Sequence, residues 1–257
     1  MIKTSLFLLL IAHLLGDFYF QFNAMVKKKS ESKISSHIIH SLIYFGWVLI
    51  FSLFFEQWWI ALLVSLAVAF FHLGIDLFKT FLNHKFENKV AKLLIFFFDQ
   101  LIHVISLIIA SLFLTEFNIV GKAVFVDFYN SIGFNFSIDT FLLYAFSLLF
   151  LIQPANIMNR FVLDTLFKQK EIEEEIEDND ANAGVIIGIL ERLTMYSFCT
   201  FLNWFEIIPV ILAAKTFARF KRFDKKAGDL FAEKYIVGTL LSTLYVGICL
   251  VLKLGVN

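Results

Sequence analysis

The chain has 257 residues, 59% of them hydrophobic, and its 22 basic residues are balanced by 22 acidic ones. So apolar a composition excludes an ordinary soluble domain, and a net charge of zero gives no reason to expect a nucleic-acid partner. Two prolines, eleven glycines and the absence of period-two alternation predict an all-α, polytopic integral membrane protein and not a barrel. The 34 phenylalanines accompany abundant Lys, Ile and Asn, as AT-rich coding would produce. Cys199 and Cys249 stand singly in apolar runs and read as packing residues.

Apolar runs of about 20 residues, the length that crosses the hydrocarbon core, fall at 4–24, 36–55, 57–79, 92–114, 140–163, 183–202, 204–220 and 233–253. The first resembles a signal peptide at its start but continues past His13 with no small-residue cleavage site, so it reads as a mature helix. The connections after the first, third, fifth and seventh runs hold 18 of the 22 basic residues. By the positive-inside rule this predicts eight membrane helices with both termini outside the cytoplasm. The sixth and seventh runs are separated only by Asn203 and Trp204, a tight hairpin or a re-entrant pair.

Three segments are expected: a four-helix bundle over 1–114, an outer connection over 115–139, and a second four-helix bundle over 140–257 with an acidic cytoplasmic linker at 168–182. The connection is Phe-rich and is expected against the outer face. Seven acidic residues between Glu171 and Asp180 read as a solvated linker.

Ionisable side chains inside apolar runs are costly and mark protein-facing or functional positions. His13, Asp17 and Gln21 follow one another at steps of four and share one helical face. His72 and Asp76 repeat the spacing in the third run, and Asp99 and His103 reverse it in the fourth. Because the fourth run crosses in the opposite sense, each Asp lies on the cytoplasmic side and each His about one turn, roughly 6 Å, deeper. His37 and His40 open the second run at the same end, and Gln100 adds a neutral polar group.

Three such pairs at one depth point to a divalent metal, Zn foremost with Mn or Fe as alternatives, held by His13, His72, His103 and His40. Asp17, Asp76 and Asp99 are candidates for general base, for ligand, or for acceptors of imidazole N–H groups, and their number allows two metals. In the later runs, Glu191, Arg192, Lys215 and Arg219 are the ionisable supporting residues. A salt bridge from Glu191 to Lys215 or Arg219 is the structural expectation. Gly184 and Gly188 have the spacing of close helix contact.

The set His13, Leu14, Leu15, Gly16, Asp17 and Gln21, with His72, Asp76 and Lys79 and with Asp99, Gln100 and His103, resembles the signature of the bacterial membrane family known as domain of unknown function 3307. The likeness covers roughly residues 5–110. Gly188, Glu191 and Arg192, then Lys215 and Arg219, then Gly238, Thr239 and Ser242, resemble the longer members. This implies a multi-pass protein of the bacterial cytoplasmic membrane. A more distant similarity is to bacterial membrane-bound metal-dependent hydrolases, although no HExxH pattern is present.

The leading expectation is a metal-dependent hydrolase at the inner leaflet, acting on a lipid-linked or membrane-embedded substrate. A divalent-metal or proton transporter or channel is the alternative from another class, and a membrane sensor with a structural metal is a third.

Overall fold

The computed structural model describes residues 2–30, 33–53, 58–116, 129–133, 137–167, 178–223 and 228–256. Every regular element among them is helical. The helices are α1 (Ile2–Leu14), α2 (Asn23–Ser30), α3 (Ile34–Ser52), α4 (Trp58–Lys85), α5 (Lys89–Glu116), α6 (Ile138–Leu166), α7 (Asp178–Phe201), α8 (Ile207–Phe223) and α9 (Gly228–Val256). Most of the 115–139 connection and most of the acidic stretch 168–182 lie outside the described residues.

Six of these helices carry apolar segments long enough to cross a membrane: 34–52, 58–85, 89–114, 138–166, 184–201 and 231–255. Two shorter apolar helices span 4–19 and 207–218. Each of the eight expected runs contains a described helix, six of spanning length and two below it.

The chain forms two compact units, residues 1–146 and 147–255. In the first, α1 packs on α3 and α5, and α4 packs on the same two, so the four helices close a ring around a common interior. Polarity inside that ring is inverted relative to a soluble bundle. His13, His37, His40, His72, His103, Asp76 and Asp99 are buried, while Leu42, Leu63, Phe70, Phe71, Phe98 and Ile109 are exposed. Large apolar side chains directed outward around a polar interior suit a lipid surround, where outward apolar area costs nothing.

α1 does not run on to residue 24. It passes into a π-helical turn over Leu15–Tyr19, with the Phe20 N–H donating to the Leu15 carbonyl at 2.9 Å. Asp17 lies within this turn, and such widened turns are common where a helix presents a functional group. Gly16 makes the turn fit: a Cβ there would lie 2.7 Å from Tyr44 Cδ2, so only glycine lets α3 come so close. The chain then re-enters a helix at α2, which carries Lys27, Lys28 and Lys29.

In the second unit, α7 ends at Phe201 and α8 begins at Ile207. Asn203 turns the chain with φ 50°, a left-handed conformation that asparagine tolerates, and the Trp204 N–H returns to the Phe198 carbonyl at 3.3 Å. The link between these helices is thus a tight turn. Pro154 lies inside α6.

Candidate metal centre

The polar interior of the first unit is built from all four ring helices and from α2. Asp17 Oδ1 in the π-helical turn after α1, His40 Nε2 on α3 and His72 Nε2 on α4 form a triangle with sides of 3.2 Å (Asp17–His40), 3.0 Å (His40–His72) and 3.4 Å (Asp17–His72). Ligand atoms about 2.0–2.1 Å from one tetrahedral Zn stand about 3.3 Å apart, so three donors already lie at the separation of a coordination face. His103 on α5 approaches the same place, its ligand atom lying within 4.8 Å of those of Asp17 and His72.

The tautomer of His103 follows from its neighbour one turn back. Its Nδ1 contacts the Asp99 carbonyl at 2.8 Å, and a carbonyl can only accept, so Nδ1 carries the proton. Nε2 is then a lone pair, buried and without a hydrogen-bond partner. A buried acceptor left open beside a carboxylate and a second imidazole is a donor set that fits a cation. Two nitrogens and a carboxylate oxygen, with a third nitrogen in reach and no thiolate among them, match Zn, Mn or Fe chemistry.

A second group, His40, His72 and Asp76, shares two of these residues. Asp76 Oδ2 lies 3.9 Å from His40 Nε2 and 3.7 Å from His37 Nδ1. This carboxylate is already compensated, because the Lys29 ammonium from α2 donates to it. Burial pushes Lys29 below the usual lysine range, while the Asp76 charge pulls the other way. The Gln21 amide, with its oxygen toward Lys29, accepts from Nζ at 3.0 Å and donates to the Asp17 carbonyl at 2.9 Å.

Asp99 is compensated in the same manner. Lys79 Nζ donates to its Oδ2 at 2.6 Å and the Gln100 amide donates to the same oxygen at 3.0 Å. Of three carboxylates, only Asp17 lacks a lysine partner among the described residues. Two ammonium groups against three carboxylates leave one negative charge, centred on the residue that belongs to the ligand triangle.

His13 stands just outside it. Its Nδ1 is 3.7 Å from Asp17 Oδ2 and 3.4 Å from the Tyr44 hydroxyl, and its ring stacks on His103 with centroids 5.3 Å apart. Tyr44 in turn stacks on His72, with centroids 3.8 Å apart and planes 7° from parallel. The three His/Asp pairs thus face one interior. Within it Asp17, His40 and His72 bring their ligand atoms together, His103 approaches those of Asp17 and His72, Asp76 stands beside His40 and His72, and His13 and Asp99 back the cluster.

Tyr44 and Lys29 were not singled out from the sequence as part of the centre, and Lys79 entered only within the motif that carries the family resemblance. Tyr44 continues the His37/His40 face of α3 at a helical step, a signal that was there to read. Lys79 stands one turn after Asp76. Lys29 carries no local signal, since only the return of α2 against the bundle brings it to Asp76.

In the second unit, Lys215 Nζ on α8 donates to Glu191 Oε2 on α7 at 2.6 Å. Arg192 is buried, with Nε donating to the Leu151 carbonyl at 2.8 Å and Nη1 to Ser242 Oγ at 3.3 Å. Arg219 lies on α8, and its side chain is outside the described residues.

Regular structure that is all helical among the described residues, six helices long and apolar enough to cross a membrane, and outward apolar side chains define a multi-pass membrane protein. Residues 5–130 match the model of a family described as a protein of unknown function (DUF3307), in line with the resemblance carried by the His, Asp and Gln motifs. That match covers the helices of the ring and stops short of α6. No curated protein and no solved structure matches the chain.

Proposed function

We propose that the protein is an integral membrane metal-binding protein that holds one divalent cation, Zn foremost, on Asp17, His40, His72 and His103. In this reading it uses the metal for hydrolysis at the cytoplasmic leaflet of a bacterial cytoplasmic membrane. The observation that carries the metal is the triangle of Asp17 Oδ1, His40 Nε2 and His72 Nε2, with sides of 3.0 to 3.4 Å in a buried setting. The one uncompensated carboxylate supports a single metal over two, because each further cation would have to displace a lysine ammonium.

A bound divalent cation would supply Lewis acidity and bring the pKa of a coordinated water toward neutrality. The remaining chemistry belongs to the chain. Asp76, 3.9 Å from His40 Nε2, would be the carboxylate nearest a bound cation to receive a proton, and Lys29 holds it in place. Asp99 orients His103 through its backbone carbonyl, while its side chain is tied to Lys79 and Gln100. Gln100 and Gln21 fix carboxylate and lysine positions without adding charge. The basic residues that collect after alternate runs support an orientation with this end of the bundle toward the cytoplasm and both termini outside. A lipid-linked phosphate or ester, or a membrane-embedded peptide, is the substrate class that reaches such a depth.

Purified protein analysed for metal tests the first half of the proposal. About one equivalent of Zn, Mn or Fe is expected in the wild type and almost none in His72→Ala. Absence of metal from protein prepared without chelators would remove the basis for hydrolysis. Metal-dependent flux in sealed vesicles, without release of product from ester or phosphodiester substrates, would replace hydrolysis by transport.

A further inference from the structure

Among the described residues of the second unit, one buried charge has no ion-pair partner. Arg192 on α7 is 1% exposed, and among the described residues it forms hydrogen bonds with a carbonyl and a hydroxyl but no ion pair. Its neighbour Glu191 is committed to Lys215 at 2.6 Å. Among the described residues, one carboxylate therefore stands with two cations on these apolar helices. An uncompensated guanidinium in such a place is costly enough that a counter-charge is the expected solution.

Arg192 Nε is used on the Leu151 carbonyl at 2.8 Å. Nη1 reaches Ser242 Oγ at 3.3 Å, and Nη2 is buried with no partner. Asn159 Nδ2 also reaches Ser242 Oγ at 3.3 Å. A serine oxygen that accepts twice has its own hydrogen left to give. The other end of the Asn159 amide is unpartnered, so turning the amide over would let Ser242 donate to it and free an N–H2 group. Thr239, one turn before Ser242 on α9, adds a buried hydroxyl with no partner.

We propose that Arg192, Ser242, Asn159 and Thr239 form a binding site for a small inorganic monoanion of chloride size, which neutralises the guanidinium within the second unit. Size follows from enclosure: Arg192 is 1% and Ser242 3% exposed, and Leu151 is fully buried. Charge follows from the count, since one negative charge restores neutrality to the Glu191, Arg192 and Lys215 group. Gly188 contributes space, because a Cβ there would lie 3.4 Å from Arg192 Nη1, at the edge of what the folded-back guanidinium tolerates.

The test uses the purified full chain in detergent, titrated with sodium chloride against sodium gluconate at constant ionic strength, with thermal unfolding as readout. Chloride should raise the midpoint saturably while gluconate leaves it flat. Ser242→Ala should weaken the apparent chloride affinity at least ten-fold, and Arg192→Gln should abolish the dependence. Should Arg192→Gln fail to fold, the Ser242→Ala titration and the anomalous signal of bromide beside Nη2 in crystals decide the matter. Matching chloride and gluconate curves, an unchanged affinity in Ser242→Ala, or a response to inorganic phosphate but not to halides would each overturn the proposal.

Discussion

His40 Nε2 and His72 Nε2 lie 3.0 Å apart although 32 residues separate them, and both rings are 1% exposed. With two neutral imidazoles, one nitrogen must donate and the other accept. With a shared cation both act as lone pairs, and neither Nδ1 has another partner to dictate the tautomer. His72 also belongs to both candidate ligand groups. Its replacement by alanine should therefore cost more metal affinity than any other single change. The loss should exceed the about 10–100-fold expected when an orienting residue such as His13 is removed. Titration calorimetry with Zn on wild type, His72→Ala and His13→Ala orders the three, and equal losses for the two variants would return His13 to the ligand set.

Gly16 offers a test of the same centre from a distance. Its missing side chain admits Tyr44, and Tyr44 stacks on the His72 ring at 3.8 Å. A methyl group 2.7 Å from Tyr44 Cδ2 must push the phenol ring or widen the helix pair. Overpacking of this kind costs about 1–3 kcal/mol. Gly16→Ala should lower the unfolding midpoint and weaken metal binding together, whereas Gly46→Ala, where a Cβ meets nothing within 4 Å, should do neither. Unchanged metal affinity in a destabilised Gly16→Ala would show that the Tyr44 stack does not position His72.

Orientation in the membrane is open to labelling. Single cysteines at Lys28, Lys89 and Lys225 are expected to react from the cytoplasmic side, and one at Asn257 from the opposite side. The alternating distribution of basic residues predicts this for eight crossings. The two short apolar helices, 4–19 and 207–218, are where the count is exposed to error. Termini labelled from opposite sides would mean that one of them does not cross.

The helical class and the inward face of the first bundle were legible because both depend on local patterning. Apolar runs longer than a soluble helix needs announce the spans, and steps of four residues put His13 with Asp17, His72 with Asp76 and Asp99 with His103 on single faces. Which of those residues meet at a point depends on tertiary contacts that periodicity does not encode. The π-helical turn at Leu15–Tyr19 resets the register of Asp17 and leaves Gln21 beyond the helix end. Lys29, counted from sequence only as a topological charge, returns to Asp76 because α2 folds back onto the bundle. A lysine that marks the cytoplasmic side and a lysine that neutralises a buried carboxylate look the same in sequence.

Glu191 and Lys215 provide the last expectation. Their 2.6 Å contact joins α7 to α8, and the side chains are only 11% and 12% exposed. The pair is shielded enough to behave as buried, so removing one charge strands the other. Glu191→Gln should destabilise the protein by about 3 kcal/mol. It should leave metal content unchanged, because Glu191 belongs to the second unit and the ligand triangle to the first. Adding Lys215→Met to Glu191→Gln removes the stranded ammonium and should recover part of the loss, the signature of direct coupling in a double-mutant cycle. Measurement of unfolding midpoint and bound metal on the same preparations separates the possibilities. Loss of metal at unchanged stability would make Glu191 part of the metal chemistry, and additive losses in the double variant would deny the pair its structural role.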